Sequence, residues 1–138
     1  HGGPQTWADE GLLTVEDAAS LPSTGTVVLA WSCQAQFFQY LFGPSVNESL
    51  LLKPGGGAVA AFGPAGITEA PLQALLYERL YDELLSGRVS LGEAIRRSKA
   101  RALREHPAVA PVVEGWNLLG DPSLAVSLGR RGVPRRRR

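Results

Sequence analysis

One cysteine, Cys33, is the side chain best suited to nucleophilic chemistry in this chain, and its setting says more than its type. It follows the run TVVLAW, Thr26 to Trp31, which is β-branched and nearly all apolar, the pattern of a strand buried on both faces of a sheet. In an open α/β sheet the reacting groups gather in the crevice beyond the carboxyl ends of the strands. A thiol placed directly after such a strand is held by a rigid element with its sulfur toward that crevice. A thiol near its unperturbed pKa of about 8.5 is mostly protonated at neutral pH, so it needs a base or cation beside it. The chain has two histidines. His106 sits beside Pro107 at a helix end among charged residues, which reads as a solvated surface position. His1 is followed by Gly2 and Gly3, residues that leave the backbone open to close approach by a ligand. A strand ending at His1 would bring it to the same sheet edge as Cys33. The N–H groups of Gly2 and Cys33 would then point at a developing oxyanion. The competing reading of a lone cysteine is a small buried hydrophobe.

The elements that must position these residues are legible in the spacing. Residues His1 to Gly11, with three glycines and a proline, read as a loop. Thr14 is placed to cap a short helix whose first turn carries Glu16 and Asp17. Ser45 and Glu48 have capping-box spacing before a helix expected to turn Leu50, Leu51 and Leu52 inward, ended by Pro54 and three glycines. A second buried strand runs from Gly57 to Gly63. A long amphipathic helix from about Glu69 carries Leu72, Leu76, Leu80 and Leu84 at intervals of four, with Leu75 on the same face, and Gly87 stops it. Ser90 and Glu93 repeat the capping-box spacing. Leu91, Ile95 and Ala102 of that helix face inward, Arg96, Arg97, Lys99, Arg101 and Arg104 stay solvated, and Pro107 closes it. Trp116 to Leu119 reads as a short strand, Gly120 to Pro122 as a turn, and Leu124 to Leu128 as a last extended segment. Helices alternating with continuous apolar strands predict an α/β fold with an open, mostly parallel sheet covered by helices on both faces.

Composition narrows the function classes. With 138 residues, 44 % apolar and 20 % charged, the chain has the balance of one soluble globular domain. The formal net charge of +1 is misleading, because six of the 14 basic residues lie in the last nine positions, leaving a mildly acidic body. That argues against a nucleic-acid footprint spread over the fold. Residues 129–138 read as an Arg-rich flexible tail or linker, separate from a folded unit over 1–128. No apolar run reaches the roughly 18 to 20 residues that span a bilayer. A single cysteine allows no intramolecular disulfide. Gly55 to Gly57 precede a strand and lack a following Lys-Ser or Lys-Thr, so they read as a tight turn, not a phosphate cradle. Asp121 has no second carboxylate spaced to share a metal and is expected to cap a turn. No cofactor is required; Asp9 and Glu10 lie near His1 and would suit calcium, but solvent exposure is the expectation. Trp7 and Trp116 read as packing residues. The sequon at Asn47 to Ser49 falls inside a helix start, which disfavours glycosylation.

A histidine followed by glycine, then WADEGLLTVEDAASL, a buried strand running into Ser32 and Cys33, then NESLLLKPGGGAVAAFGPAG, SLGEAIRRSKA and WNLLGDPSL, together resemble the gingipain family of the caspase-type clan of cysteine peptidases. The resemblance runs from His1 to about Val126. It implies a caspase-like fold of which this chain is the C-terminal portion, with the N-terminal strands and much of the specificity pocket upstream. It implies a bacterial, secreted or cell-surface thiol peptidase whose polypeptide substrate is cleaved through a thioester on Cys33. His1 resembles the family's catalytic histidine, Gly2 an oxyanion donor together with Cys33, and Trp31, Ser32 and Gln34 would border the substrate. Family members often carry an Asn-Gly pair shortly after the cysteine, where this chain has Ala35 and Gln36, and Trp31 is bulkier than expected. Those departures motivate an alternative, an inactive homologue acting as a secretion or assembly module. A caspase-like domain attached to helical repeats is a further one.

Overall fold

The computed structural model describes residues 2–22, 25–87 and 89–126. His1, the end of the expected segment Leu124 to Leu128, and the Arg-rich 129–138 lie outside the described residues. The chain begins with three two-residue strands, β1 (Gly2–Gly3), β2 (Thr6–Trp7) and β3 (Leu13–Thr14), paired antiparallel in that order. The expected loop at the start therefore contains a small sheet. Helix α1 (Val15–Ser20) follows, capped by Thr14, whose hydroxyl accepts from Asp17 N–H while the Asp17 carboxylate accepts from Thr14 N–H.

The second sheet has the order β4 (Thr26–Leu29), β5 (Ala58–Pro64), β6 (Trp116–Gly120). β4 and β5 run parallel, joined through α2 (Val46–Leu52); β5 and β6 run antiparallel, with Ala60 opposite Gly120 and Pro64 opposite Trp116. The expectation of a mostly parallel sheet is thus corrected: one of the pairings among the described strands is parallel and the rest are antiparallel. The reason lies between β5 and β6, where α3 (Ala70–Ser86) and α4 (Leu91–Glu105) form an antiparallel pair before a 3-10 turn at Pro107–Val109 and α5 (Ala110–Gly115). Two helix passes return the chain to the end of the sheet it left, so β6 starts where β5 stops. Ion pairs fix that helix hairpin: Arg79 to Glu105 at 2.7 Å, Arg101 to Asp82 at 3.3 Å and Arg97 to Glu83 at 3.8 Å.

Helices do cover both faces of this sheet. On one face Val27, Leu29, Ala60, Phe62 and Trp116 pack with Leu76, Leu80 and Leu84 of α3 and Leu91, Ile95 and Ala102 of α4. On the other, Val28 and Ala58 meet Ala18 of α1 and Val46 and Leu50 of α2, with Trp7 and Leu13 alongside. Gly87 ends α3 in the left-handed conformation at φ 61°, a region that a Cβ penalises. Two side chains depart from their expected places. Leu52 is exposed, not inward. Lys99 is half-buried and donates to the Trp116 carbonyl at 2.5 Å, and burial pushes its amine below the usual lysine range.

Candidate active site

The parallel pair β4–β5 is what builds the site. Because the two strands run the same way, the loops after them emerge side by side, and backbone bonds tie the loops together. Ala30 N–H donates to Phe62 O at 2.9 Å, Gln34 N–H to Gly66 O at 3.0 Å and Gln36 N–H to Pro64 O at 3.0 Å. Cys33 lies inside that tie, its thiol 3.3 Å from the Thr68 carbonyl. Thr68 is held in turn by Gln73 of α3, whose amide donates to the Thr68 hydroxyl. The loop also anchors through Ala65 N–H to Gly115 O at 2.9 Å. The cysteine is free and partly exposed.

Cys33 sits in a turn closed by Ala35 N–H on Ser32 O at 3.3 Å. Gln34, at the third position of that turn, has φ 58°, where a side chain costs about 1–2 kcal/mol. Among the described non-glycine residues only Ala8, at φ 59°, shares this conformation, and it lies on the facing segment. Strained backbone of this kind concentrates where a site needs a particular orientation. The Cys33 N–H donates to no described residue.

The N-terminal sheet closes the other side. Gly2 lies against the Cys33 segment so tightly that a Cβ added there would overlap Ser32 Oγ, and it would also come within 3.0 Å of Thr6 O and 3.2 Å of Ala8 N. The residue after His1 and the residue before Cys33 are therefore in contact. Val46 N–H donates to Pro4 O at 2.8 Å and pins this hairpin to the start of α2. Ser32 Oγ is buried with no hydrogen-bond partner among the described residues. Beside it runs a groove of about 360 Å³ lined by Trp7, Ala8, Leu12, Leu29, Trp31 and Ser32, with no charged side chain among the described ones. A larger groove, of about 660 Å³ between α1 and α2, has Glu16, Glu48 and Lys53 among its lining residues, does not include Cys33 and is a separate feature.

The sequence-expected residues thus divide. Gly2, Ser32 and Cys33 come together, with Gln34 forming the turn. Trp31 lines the groove but is also packed in an aromatic cluster, 4.6 Å from Trp116 and 5.2 Å from Tyr77 between ring centroids, with its Nε1 donating to the Tyr81 hydroxyl at 3.3 Å. His106 caps the end of α4, well apart in the chain from the β4 loop. Ala35 and Gln36, which differ from the family's usual pair, are fully buried, so the departure lies beneath the site and not on its wall. Asn47 is also fully buried, which closes its sequon to glycosylation in the folded state. Asp9 and Glu10 are exposed, and among the described residues no three His, Cys, Asp or Glu side chains converge to hold a metal. Asp121 caps its turn by accepting from the Ser123 hydroxyl at 2.7 Å and from Ser123 N–H at 2.8 Å, which together lower its carboxyl pKa. Gly66, Thr68 and Gln73 carry no local signal and emerge only from the packing of the β5–α3 loop against the cysteine turn.

Two solved structures share this fold. The "Complex of Porphyromonas gingivalis RgpB pro- and mature domains" superposes with a TM-score of 0.77 at 17 % identity, covering 91 % of this chain and 32 % of that one. The "Crystal structure of the Arg specific cysteine proteinase gingipain R (RGPB)" gives 0.71 at 19 % identity with the same coverage. At these identities the likeness carries the fold, and the chain spans about a third of either structure's length. No curated protein sequence matches. The profile described as Peptidase family C25 matches residues 1–127, nearly the whole chain, and the chain therefore belongs to the gingipain family of cysteine peptidases.

Proposed function

We propose that the protein is a cysteine endopeptidase that cleaves polypeptides through an acyl-enzyme on Cys33, with His1 as its catalytic partner. The observation that carries this reading is the contact between Gly2 and Ser32, which sets the residue after His1 against the residue before Cys33. In the reaction, Cys33 Sγ bonds to the scissile carbonyl carbon as the thiol proton passes to the His1 imidazole. The N–H groups of Gly2 and Cys33 hold the carbonyl oxygen as it becomes negative. The tetrahedral adduct collapses with loss of the amine, which takes its proton from His1. Water then attacks the thioester, releasing the carboxylate product and restoring the thiol. Trp31, Ser32 and Gln34 border the bound chain. The Cys33 N–H, which donates to no described residue, and the strained Gln34 turn support these roles.

Because the chain spans about a third of the gingipain structures, this activity is proposed for the full-length protein, with residues 1–128 as part of a larger caspase-like peptidase domain and 129–138 as a linker. A secreted or cell-surface enzyme is the matching setting. Among the described residues no helix is long and apolar enough to cross a membrane. The inactive-homologue alternative drew on Ala35 and Gln36, both fully buried, and it predicts no turnover and no labelling of Cys33 by a thiol-directed acyl-type inhibitor. The test is turnover of a fluorogenic peptide library by the full-length protein with Cys33→Ala as control. Turnover that survives the substitution would sink the proposal.

A further inference from the structure

We infer that Gln36 is a positioning residue for the Cys33 turn, acting through a buried amide network that joins three elements. The inference rests on the reading of Cys33 as the nucleophile. Gln36 is fully buried three residues after the cysteine. Its Nε2 donates to the Asn117 carbonyl in β6 at 2.7 Å, and its Oε1 accepts from Asn47 Nδ2 in α2 at 3.1 Å. The backbone around it is tied to the same neighbours. Gln36 N–H donates to Pro64 O of β5, and Asn47 N–H donates to Ala35 O at 3.0 Å. Room for the network is made by Gly63 in β5, where a Cβ would stand 2.9 Å from Asn47 Nδ2 and 3.1 Å from the Ala30 Cβ.

The physical case has two parts. Dry amide hydrogen bonds are directional and strong in a low-dielectric interior, so they fix orientation where apolar packing alone would allow sliding. The network also retains a cost, because Asn47 Oδ1 is buried without a partner among the described residues. An apolar pair of similar size at 36 and 47 would avoid that cost. What such a pair would not supply is a fixed rotation for the Ser32–Ala35 turn, whose Gln34 is strained and which carries Cys33. On this account Gln36 anchors the downstream end of the turn as the Gln34 N–H to Gly66 O bond anchors its middle.

The test uses the full-length protein with Gln36→Leu, Asn47→Leu and the double substitution. Three quantities are read per folded molecule: kcat, KM and the rate of Cys33 alkylation by iodoacetamide, with melting temperature recorded beside them. For Gln36→Leu the expected result is a fall in kcat of at least about tenfold, KM within about twofold, and alkylation faster by severalfold as the thiol leaves Thr68. The double substitution should regain melting temperature relative to either single one without regaining kcat, since both buried amides are then gone. Unchanged kcat and alkylation, with only the melting temperature moved, would overturn the inference and leave Gln36 a packing residue. If the unsubstituted protein cleaves no peptide, the peptidase reading fails on its own, and the alkylation rate still decides the positioning role: a severalfold change upholds it and none overturns it.

Discussion

At Gly2 and Ser32 two segments meet with no space to spare, and that contact makes the sharpest residue-scale predictions. Gly2→Ala puts a methyl where Ser32 Oγ now lies, so either the hairpin or the Cys33 segment must shift. A displacement of about 1 Å at a catalytic group costs on the order of 100-fold in rate. We expect that loss in kcat/KM from Gly2→Ala in the full-length protein, partly restored in Gly2→Ala/Ser32→Ala, where the hydroxyl is gone; steady-state kinetics of the two variants checks it, and an unimpaired Gly2→Ala enzyme would refute it. Ser32→Ala alone removes a buried hydroxyl that has no partner among the described residues, so its melting temperature should be equal to or above that of the unsubstituted protein. A loss of more than about 1 kcal/mol in a urea titration would mean that the hydroxyl is bonded in solution. Both positions were legible in the sequence, one as a glycine beside a histidine and the other beside a strand-end cysteine. Thr68 was not, because it lies 35 residues beyond Cys33 and its contribution is a backbone carbonyl, which any residue supplies.

Elements with strong periodicity were read with nearly the right limits, and the failures have physical causes. The leucines of α3 and the caps at Thr14, Ser45 and Ser90 are local signals. Strands of two residues at Gly2–Gly3 and Thr6–Trp7 offer no period to detect, and an apolar run such as that of β6 does not encode its direction. The two capping boxes also look alike in sequence and differ in space. At Ser45 the box is complete, with Glu48 accepting from Ser45 N–H at 2.8 Å. At Ser90 only one arm forms, since the Glu93 carboxylate is taken by Arg96 and Arg97, each at 2.7 Å. Those hydrogen bonds lower the Glu93 pKa from 4.5 to about 2. A carboxyl whose folded value is depressed stabilises the fold above its unfolded value and loses that contribution as pH falls through the folded one. The difference in melting temperature between the unsubstituted protein and Glu93→Gln should therefore be steady above about pH 5 and shrink toward pH 2. Because the pair is solvent-exposed, the difference should be small and reduced by salt. A difference that grows on acidification would refute the assignment.

On the scale of the whole molecule, the two apolar clusters account for the helices and the inner faces of the larger sheet, but not for its edge. β4 is paired on one side by β5, and among the described strands none pairs with the other side of Val27 to Leu29. The same molecule exposes Leu12, Leu41, Phe42, Ile67 and Leu85 heavily, and Leu12 lines the groove beside Ser32 and Leu29 of β4. An open strand edge beside apolar surface is a template for pairing with another chain. A polypeptide of these 138 residues produced alone should consequently self-associate at tens of micromolar, seen as concentration-dependent sedimentation, the range in which exposed edges and apolar surface drive association. In the full-length protein, iodoacetamide should reach Cys33 at a rate independent of protein concentration. In the 138-residue polypeptide that rate should fall as concentration rises, because association through β4 covers the loop that follows it. A monomer at every concentration, with a constant alkylation rate, would show that this edge is protected within the chain itself.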